Sequence, residues 1–355
     1  MKFFIRMENS YYQQDLHLVA NLPFIPWQKL ENKSLLITGA GGLIGSFLID
    51  VLMFSNECFG RKMNVYALTR NAERARVRFQ HHWNNPLFHH IEQDIINKIQ
   101  LSDKVDFIIH TASNAYPASF IADPVGTIKA NLWGIDNLLD YGLKCGVERT
   151  LFVSSGEVYG EGDGKDFTES YSGYINCLTP RSCYPSGKRV AETLCASYIA
   201  QYNMDIVIAR PCHIYGPTMT KSDDRAFAQF IRKVLEKQDV VLKSKGDQCR
   251  SYCYVADCIS ALLMILLKGE KGNAYNIANK HSNVTVAELA QTIAHTGGQK
   301  VVFQIPSSEE EKGFSGISRA VLDAGKLENL GWQANYSIRE GIERTIQILS
   351  QNNHE

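Results

Sequence analysis

The sequence predicts an α/β fold built on a doubly wound parallel sheet, with a smaller C-terminal lobe that holds a substrate. Two observations predict it. Apolar runs of strand length recur five times in the first 211 residues, and amphipathic stretches of helical length separate them. Strands that are apolar throughout, each followed by a helix, are typical of a parallel sheet covered on both faces. Such sheets bind their ligands beyond the carboxyl ends of the strands.

The individual elements follow from these runs. The predicted strands lie in SLLITGA (34–40), NVYALTR (64–70), DFIIHTA (106–112), TLFVSSG (150–156) and DIVIARP (205–211). The main predicted helices lie in LIGSFLIDVLM (43–53), TIKANLWGIDNLLDYGLK (127–144) and SGKRVAETLCASYIAQY (186–202). After residue 211 helical patterns dominate, at 225–237, 257–269 and 285–297. We therefore predict an N-terminal extension (1–33), a dinucleotide-binding domain (34–210, with part of 250–275) and a substrate lobe made mainly of 211–355.

Composition and charge narrow the class of protein. Of the 355 residues, 45% are hydrophobic, which is enough for a core and argues against disorder. Acidic and basic residues balance at 37 each, so no general charge attracts nucleic acid or an anionic membrane. The nine cysteines form no Cys-x-x-Cys pair or Cys/His cluster, which indicates reduced thiols and no metal site. Without a signal-peptide pattern or a long apolar run, we expect a soluble cytoplasmic protein.

The segment TGAGGLIGS carries glycines at the spacing of a dinucleotide-binding turn. Gly39 allows the tight turn after the first strand, Gly42 lets backbone approach a pyrophosphate, and Gly45 lets the helix pack closely on the strand. The helix that begins at Leu43 and Ile44 offers backbone N–H donors and the positive end of its dipole. The strand before and the helix after this turn favour a bound dinucleotide over plain turn chemistry.

The adenine end of the cofactor site leaves the choice of cofactor open. An acid at the end of the second strand would bond the ribose 2′-hydroxyl of NAD, but Arg70 stands there. Arg70 faces a 2′-phosphate of NADP, stacks on the adenine, or is a solvated charge at the strand end. Asp94 and Ile95 are candidates to meet the adenine, with a surface-loop aspartate as the alternative.

A tyrosine and a lysine four residues apart, in CYPSGKRVAE (183–192), form the candidate catalytic pair. On a helix, Tyr184 and Lys188 share one face. The lysine ammonium and the positive nicotinamide are expected to lower the pKa of the phenol from its usual value of about 10 toward neutrality. Tyr184 then accepts a proton from a substrate hydroxyl while a hydride leaves the same carbon.

Motifs in order along the chain support a resemblance to a known family. They are the glycine turn, HTAS (110–113), SSGEVYG (154–160), the Tyr184/Lys188 pair, RPCHIYGPT (210–218), RSYCYVAD (250–257) and LDAGKLENLGW (322–332). From about residue 33 to 345 the chain resembles the extended short-chain dehydrogenase/reductase family, and within it the nucleotide-sugar epimerases, dehydratases and decarboxylases. The resemblance implies a Rossmann lobe for NAD or NADP, a lobe for a nucleoside-diphosphate sugar, and oxidation of the sugar at C4. It also implies a homodimer joined through the helices at 127–144 and 186–202.

The resemblance implies further site residues. On the cofactor side they are Thr111, Ala112, Ser113, Pro211 and His213. On the substrate side they are Asn114, Glu157, His213, Arg225 and Arg250. Arg250 is the candidate for gripping the diphosphate bidentately, with a surface salt bridge as the alternative; Arg225 and Lys221 lie in a loop over the nucleotide. His110 is interpreted as a buried ring at a strand end.

The segment SSGEVYG bears on the choice of reaction. Ser155 stands where the resemblance implies a hydroxyl that hydrogen-bonds the C4 oxygen of the sugar. Gly156 and Glu157 follow, where dehydratases resembling the dTDP-glucose enzyme carry Asp and Glu, so the acid that protonates a leaving hydroxyl is missing. Simple 4-epimerases usually need no glutamate here. UDP-glucuronate decarboxylases have a hydroxyl residue, a small residue and glutamate at these positions, and the chain resembles them most in pattern.

Other interpretations stay open at this point. His213 stands where the family pattern has asparagine, and the second strand lacks its acid. Epimerisation at C4, 4,6-dehydration and NADPH-dependent reduction of a 4-keto sugar therefore stand beside decarboxylation. Glu157 is alternatively a carboxylate that caps a turn. A non-catalytic NAD(P)-sensing protein is a different class, against which the set of Ser155, Tyr184 and Lys188 argues.

Overall fold

A seven-stranded, wholly parallel sheet forms the centre of the structure, a computed structural model that describes residues 7–113, 115, 117–304 and 318–351. Across the sheet the strands lie in the order Phe88–Glu92 (β3), Asn64–Thr69 (β2), Ser34–Thr38 (β1), Phe107–His110 (β4), Arg149–Val153 (β5), Ile206–Pro211 (β6) and Ala274–Ile277 (β10). The chain winds outward from β1 to β3 and then returns to β4 on the other side of β1. The predicted doubly wound sheet is thus confirmed, and the ends of β1 and β4 flank the point where such folds bind dinucleotides.

Helices flank this sheet and build the C-terminal part. The described residues form Ser10–Ala20 (α1), Leu43–Phe59 (α2), Ala72–Arg78 (α3), Pro117–Ala122 (α4), Pro124–Cys145 (α5), Cys183–Tyr202 (α6), Ala226–Leu235 (α7), Val255–Lys268 (α8), Val286–Thr296 (α9), Gly325–Glu328 (α10) and Ile338–Ser350 (α11). Short 3₁₀ helices lie at Trp27–Lys29, Gly156–Tyr159, Pro180–Ser182 and Lys280–Ser282. None of these helices combines the length and apolar character that a membrane span requires.

Successive strand residues are buried on opposite faces of the sheet, which explains the continuous apolar runs. Leu36 of β1 and Ile108 of β4 join one cluster with Leu138 of α5. Leu35 and Ile109, their chain neighbours, join the larger cluster that contains α2 and α8 on the other face. Because side chains alternate along a strand, a strand covered on both sides must be apolar at every position.

Short strands in the C-terminal part form two further sheets. They are His213–Tyr215 (β7), Val240–Leu242 (β8), Cys249–Tyr254 (β9), Asn283–Thr285 (β11), Val301–Phe303 (β12) and Arg319–Ala320 (β13). β9 is central: it pairs with β7 and β13 in parallel and with β11 in antiparallel. β8 and β12 form a parallel pair. The sequence indicated mainly helices here, because all of these strands except β9 have only two or three residues, which is too short to show a period of two.

Two strands of the central sheet also escaped the sequence analysis. β3 (FHHIE) contains two histidines and a glutamate, and β10 (AYNI) is only four residues long, so neither shows an apolar run. Asp94 therefore lies two residues after the end of β3. The domain boundaries drawn from the sequence stay a prediction.

A buried carboxylate ties the N-terminal helix to the rest of the chain. Asp15 of α1 is fully buried and accepts hydrogen bonds from Tyr254 Oη (2.6 Å), Tyr336 Oη (2.8 Å) and Arg344 Nε (2.6 Å). Burial raises the pKa of Asp15, and Arg344 opposes that rise. One side chain of the N-terminal extension thus joins β9, the loop before α11 and α11 itself.

Candidate active site

The glycine turn lies between β1 and α2 and leaves no room for a side chain at Gly39 or Gly45. Gly39 has φ +65°, and a Cβ there would lie 2.6 Å from the backbone nitrogen of Ala112. A Cβ on Gly45 would lie 2.5 Å from the carbonyl oxygen of Gly39, and one on Gly42 would lie 3.2 Å from the same atom. The backbone at Gly39 is therefore pressed against the segment after β4, and only glycine satisfies both the conformation and the space at that position.

The first turn of α2 suits a pyrophosphate. Gly42 is its N-cap residue, and no side chain caps the helix that starts at Leu43 and Ile44. Its free N–H groups and the helix dipole favour an anion. Thr218 Oγ1 donates to the Leu43 carbonyl oxygen at 2.8 Å, so the loop after β7 lies against this turn. The residues present thus fit the dinucleotide predicted from the glycine spacing.

The end of β4 forms the next wall of the cofactor site. Thr111 Oγ1 donates to the carbonyl oxygen of Thr38 at 2.7 Å, and Ala112 is in contact with the glycine turn. Ser113 Oγ donates to Asn131 Oδ1 of α5 at 2.9 Å. Asn114, a predicted substrate ligand, lies outside the described residues.

At the adenine end the candidates differ in burial. Ile95 is buried beneath α5, where a Cβ on Gly134 would lie 3.2 Å from its Cγ1. Asp94 is half-buried, and its Oδ1 accepts from the Ile96 N–H at 3.2 Å. Arg70 is exposed just beyond β2. An exposed Arg70 is compatible with each of its three interpretations.

Tyr184 and Lys188 lie on one face of α6, one turn apart. Lys188 is buried, and its Nζ donates to the Val153 carbonyl oxygen at 2.9 Å while lying 5.9 Å from the centre of the Tyr184 ring. Burial lowers the pKa of Lys188 to about 7. Ser155 directly follows this region of β5, and its Oγ accepts from the Glu157 N–H at 3.2 Å.

The pKa of the Tyr184 phenol is raised, whereas the sequence predicted that it would be lowered. Burial and, after it, the Glu157 carboxylate raise it to about 12, while a hydrogen bond with Ser155 and the charges of Arg225 and Arg181 oppose that rise. The charges that lower the pKa of this phenol are those of Arg225 and Arg181 rather than that of Lys188, whose Nζ donates to the carbonyl oxygen at the end of β5. The chain by itself therefore keeps the phenol protonated. Of the two charges that were expected to lower its pKa, the positive nicotinamide remains.

Glu157 has a partner that the sequence analysis missed. Nη2 of Arg181 lies 2.9 Å from Oε1 and 2.9 Å from Oε2 of Glu157. Arg181 stands three residues before Tyr184, in the segment PRSCYPSGK. This closeness to the candidate catalytic tyrosine is the sequence feature that could have identified Arg181 as a site residue. The pair joins two 3₁₀ helices, Gly156–Tyr159 and Pro180–Ser182, that are distant in sequence.

Another cation of α6 holds the same turn. Arg189 donates from Nε to the Val158 carbonyl oxygen at 2.6 Å and from Nη2 to the Gly173 carbonyl oxygen at 2.7 Å. Together with Lys188 on Val153, it anchors the segment on both sides of Ser155 and Glu157. Arg189 was not among the predicted site residues, because its charge by itself predicts only a solvated helix face.

Cations of the C-terminal part lie within electrostatic reach of Tyr184 and Glu157. Arg250 of β9 is largely buried, and its Nη1 donates to the Cys249 carbonyl oxygen at 2.9 Å. Arg225 forms a bidentate pair with the buried carboxylate of Asp223, through Nε at 2.9 Å and Nη2 at 2.6 Å. Lys221 is exposed in the same loop. Asp223 was not among the predicted site residues either.

His213 and His110 differ in their surroundings. His213 at the start of β7 has an exposed surface, yet protein atoms around it, Arg250 and Arg225 lower its pKa to about 4, so the ring is neutral at pH 7. His110 is buried, its Nδ1 lies 2.7 Å from Thr38 Oγ1, and burial lowers its pKa to about 3. His110 is therefore a structural ring at the strand end, as interpreted from the sequence. Pro211 ends β6 and is buried.

Comparison with known proteins identifies the family. The family model described as "NAD dependent epimerase/dehydratase family" matches residues 35–278. UDP-glucuronic acid decarboxylase 6 of Arabidopsis thaliana is 35% identical over 316 residues, which are 88% of this chain and 87% of that protein. UDP-glucuronic acid decarboxylase 1 of Xenopus tropicalis is 31% identical over 322 residues, 90% of this chain and 72% of that protein. The chain belongs to the NAD dependent epimerase/dehydratase family.

A solved structure agrees with this membership. The dTDP-glucose 4,6-dehydratase of Streptomyces venezuelae, crystallised with NAD and TYD bound, matches with a TM-score of 0.77 at 26% identity, over 90% of this chain and 97% of that chain. The resemblance drawn from the motifs is confirmed. As a member of this family, the protein is an NAD(P)-dependent enzyme that modifies a nucleotide sugar, and the non-catalytic sensing protein is set aside. The roles of the individual site residues stay predictions.

Proposed function

We propose that this family member is a UDP-glucuronate decarboxylase. The observation that carries the proposal is its similarity, over about nine-tenths of its length, to relatives from a plant and a frog that both bear that name. The hydroxyl, small residue and glutamate of Ser155, Gly156 and Glu157 agree with the pattern that the sequence analysis attributed to these enzymes.

The surroundings of Gly156 argue against a dehydratase of the dTDP-glucose type. A Cβ at this position would lie 3.1 Å from Cδ2 and 3.2 Å from Cδ1 of Leu322. These distances are tighter than ordinary van der Waals contact, so a longer side chain requires Leu322 to move. An aspartate at Gly156 would therefore require Leu322 to shift, which supports decarboxylation over loss of water by a dehydratase that uses such an aspartate.

The chemistry of the proposed reaction balances without an external oxidant. A bound nicotinamide supplies the reversible hydride acceptor for C4 of the sugar. Tyr184, with Ser155 on the same oxygen, takes and later returns the proton of the 4-hydroxyl. The resulting C4 ketone is β to the C5 carboxylate, so the C5–carboxyl bond breaks and carbon dioxide leaves. The electron pair of the broken bond stays on the sugar and forms an enolate with the C4 ketone. C5 then gains a proton that is taken up from solvent, with Glu157 as the candidate group to relay it, and hydride returns to C4.

The binding groups follow from the walls of the cleft. Gly39, Gly42 and the first turn of α2 would hold the cofactor pyrophosphate. Arg250 would hold the diphosphate of the sugar nucleotide, since guanidinium groups bind phosphate bidentately. Arg225, whose Nε and Nη2 are paired with Asp223, would add positive charge beside it. For the cofactor we propose NAD, which the Streptomyces venezuelae dehydratase holds in its crystal.

Product mass tests the proposal. The purified enzyme is incubated with NAD and, separately, with UDP-glucuronate, UDP-glucose and other nucleotide sugars. We expect UDP-glucuronate to lose the mass of carbon dioxide. UDP-glucose, which has no carboxylate, is the matched control and should stay unchanged. Loss of water, gain of two hydrogens, or unchanged mass with an altered NMR spectrum would instead select dehydration, reduction or epimerisation.

A further inference from the structure

Arg181 is a cation beside the candidate catalytic groups whose role the proposed reaction leaves unassigned. One of its nitrogens bridges both carboxylate oxygens of Glu157, at 2.9 Å each. Both side chains keep a solvent-facing surface, 50% for Arg181 and 40% for Glu157. A pair exposed to this extent adds little to the stability of a fold. Its position in the cleft is what distinguishes it from an ordinary surface ion pair.

A stack of rings joins this ion pair to the phenol. The Arg181 Cζ lies 4.8 Å from the centre of the Phe120 ring, and that ring stacks on Tyr184 with centroids 4.7 Å apart and planes 20° apart. Phe120 is buried in α4, so the guanidinium packs on a rigid surface. Arg181 also lies in the 3₁₀ helix that leads into α6, two residues before its start. Its position is therefore set by the element that carries Tyr184.

Glu157 lies within electrostatic reach of a second cation. Its charge raises the pKa of Arg250, although burial, the larger effect, lowers it. Arg250 is the residue that we assign to the diphosphate of the substrate. If Glu157 turned to Arg250, it would lose its place near the sugar and compete with the phosphates for the same guanidinium. A partner that holds Glu157 on the side of Tyr184 prevents this competition.

We propose that Arg181 is a positioning residue that holds the Glu157 carboxylate beside the sugar and away from Arg250. This inference rests on the proposed function, because it takes Glu157 as the group that acts after oxidation at C4. Arg181 acts through Glu157 and has no chemical step of its own. The loss of Arg181 should therefore reproduce the loss of Glu157.

A double-mutant cycle tests this role. The variants are Arg181→Met, Glu157→Gln and the double variant, assayed with the nucleotide sugar that the wild type converts. We expect Arg181→Met to lower kcat by about 10- to 100-fold, because a small displacement of a reacting group costs this much. We expect the double variant to match Glu157→Gln alone, since the two residues act as one unit. Reduced nicotinamide, followed at 340 nm, should accumulate in all three variants.

Two further variants separate positioning from general stability. Arg181→Lys keeps the charge and should recover part of the lost kcat. Arg339→Met removes an exposed arginine that pairs with Glu343 at 2.9 Å on α11, and it should leave kcat and the absorbance at 340 nm unchanged. A structural defect would lower the fraction of folded enzyme without trapping reduced cofactor.

The outcomes distinguish this inference from the proposed function. Effects of Arg181→Met and Glu157→Gln that multiply in the double variant would overturn it, as would wild-type kcat in either single variant. The product of the wild-type enzyme judges the proposed function separately. If the wild type converts another nucleotide sugar without releasing carbon dioxide, decarboxylation is rejected, and the same cycle run with that sugar still decides the role of Arg181.

Discussion

At the scale of single residues, neighbours distant in sequence set the chemistry of the site. Tyr184 is a recognisable motif residue, but its raised pKa comes from burial and from Glu157, 27 positions away. The hydroxyl of Ser155 and the cations Arg225 and Arg181 act in the opposite direction. The phenol is thus protonated in the isolated chain, and any base function depends on positive charge that arrives with the cofactor.

Replacing Tyr184 by phenylalanine tests its role as the acid–base group. The substitution keeps the ring that stacks on Phe120, so the fold and the cofactor site should persist. Turnover should fall by about 10²- to 10⁴-fold, the usual contribution of general acid–base catalysis. Steady-state kinetics measure the loss of turnover. Titration of cofactor fluorescence measures whether cofactor binding persists. Tyr202→Phe, an exposed tyrosine of the same helix, is the control, and an active Tyr184→Phe enzyme would reject the assignment.

Gly156 provides a second test at the residue scale. Gly156→Asp introduces the acid of dehydratases but should lower stability by about 1–3 kcal/mol, because the side chain collides with Leu322. In the double variant with Leu322→Ala, the loss of stability should be smaller than the sum of the losses in the two single variants. Urea denaturation of the four proteins measures this coupling. Strict additivity would show that Leu322 does not limit the space at residue 156.

At the scale of elements, two helices organise the molecule in different ways. α6 supplies Tyr184 and also anchors the catalytic turn, through Lys188 on Val153 and Arg189 on Val158. One rigid element thus sets the distance between the hydroxyl and carboxylate groups of the site. α1 lies outside the residues matched by the family model and is attached through buried polar contacts of Asp15.

The attachment of α1 should depend strongly on Asp15. Asp15→Ala removes the acceptor of two tyrosine hydroxyls and leaves the Arg344 guanidinium without its carboxylate. Breaking a buried ion pair on one side costs about 3–5 kcal/mol, so the free energy of unfolding should fall by that order. Urea denaturation measures it, with Asp163→Ala in an exposed loop as the control. A loss equal to that of the control would mean that the polar contacts of Asp15 contribute little to the attachment of α1.

At the scale of the whole molecule, the face of α5 and α6 turned away from the sheet remains apolar in places. Ile128, Trp133 and Val190 are 40%, 44% and 47% exposed, and these two helices pack against each other. The resemblance implied a homodimer joined through the same helices. Exposed apolar side chains on paired helices are consistent with that implication, and the homodimer stays a prediction.

Charged substitutions on this face test the predicted dimer. Ile128→Lys combined with Val190→Lys should yield a monomer by light scattering after gel filtration, because two copies would then oppose like charges across the interface. Val77→Lys, an exposed valine of α3, is the matched control and should leave the mass unchanged. A wild type that already elutes as a monomer would contradict the prediction.

What the sequence by itself determined was local in origin. Apolar runs located β1, β2, β4, β5 and β6 within a few residues, and the glycine spacing located the turn before α2, because period and backbone freedom are properties of short segments. Motif order was enough to identify the family. Only the tertiary structure decided which groups distant in sequence meet: Glu157 with Arg181, and Lys188 with the carbonyl oxygen of Val153. Pairing and pKa depend on distance and burial in space, which the packing of separate elements creates and no short segment contains.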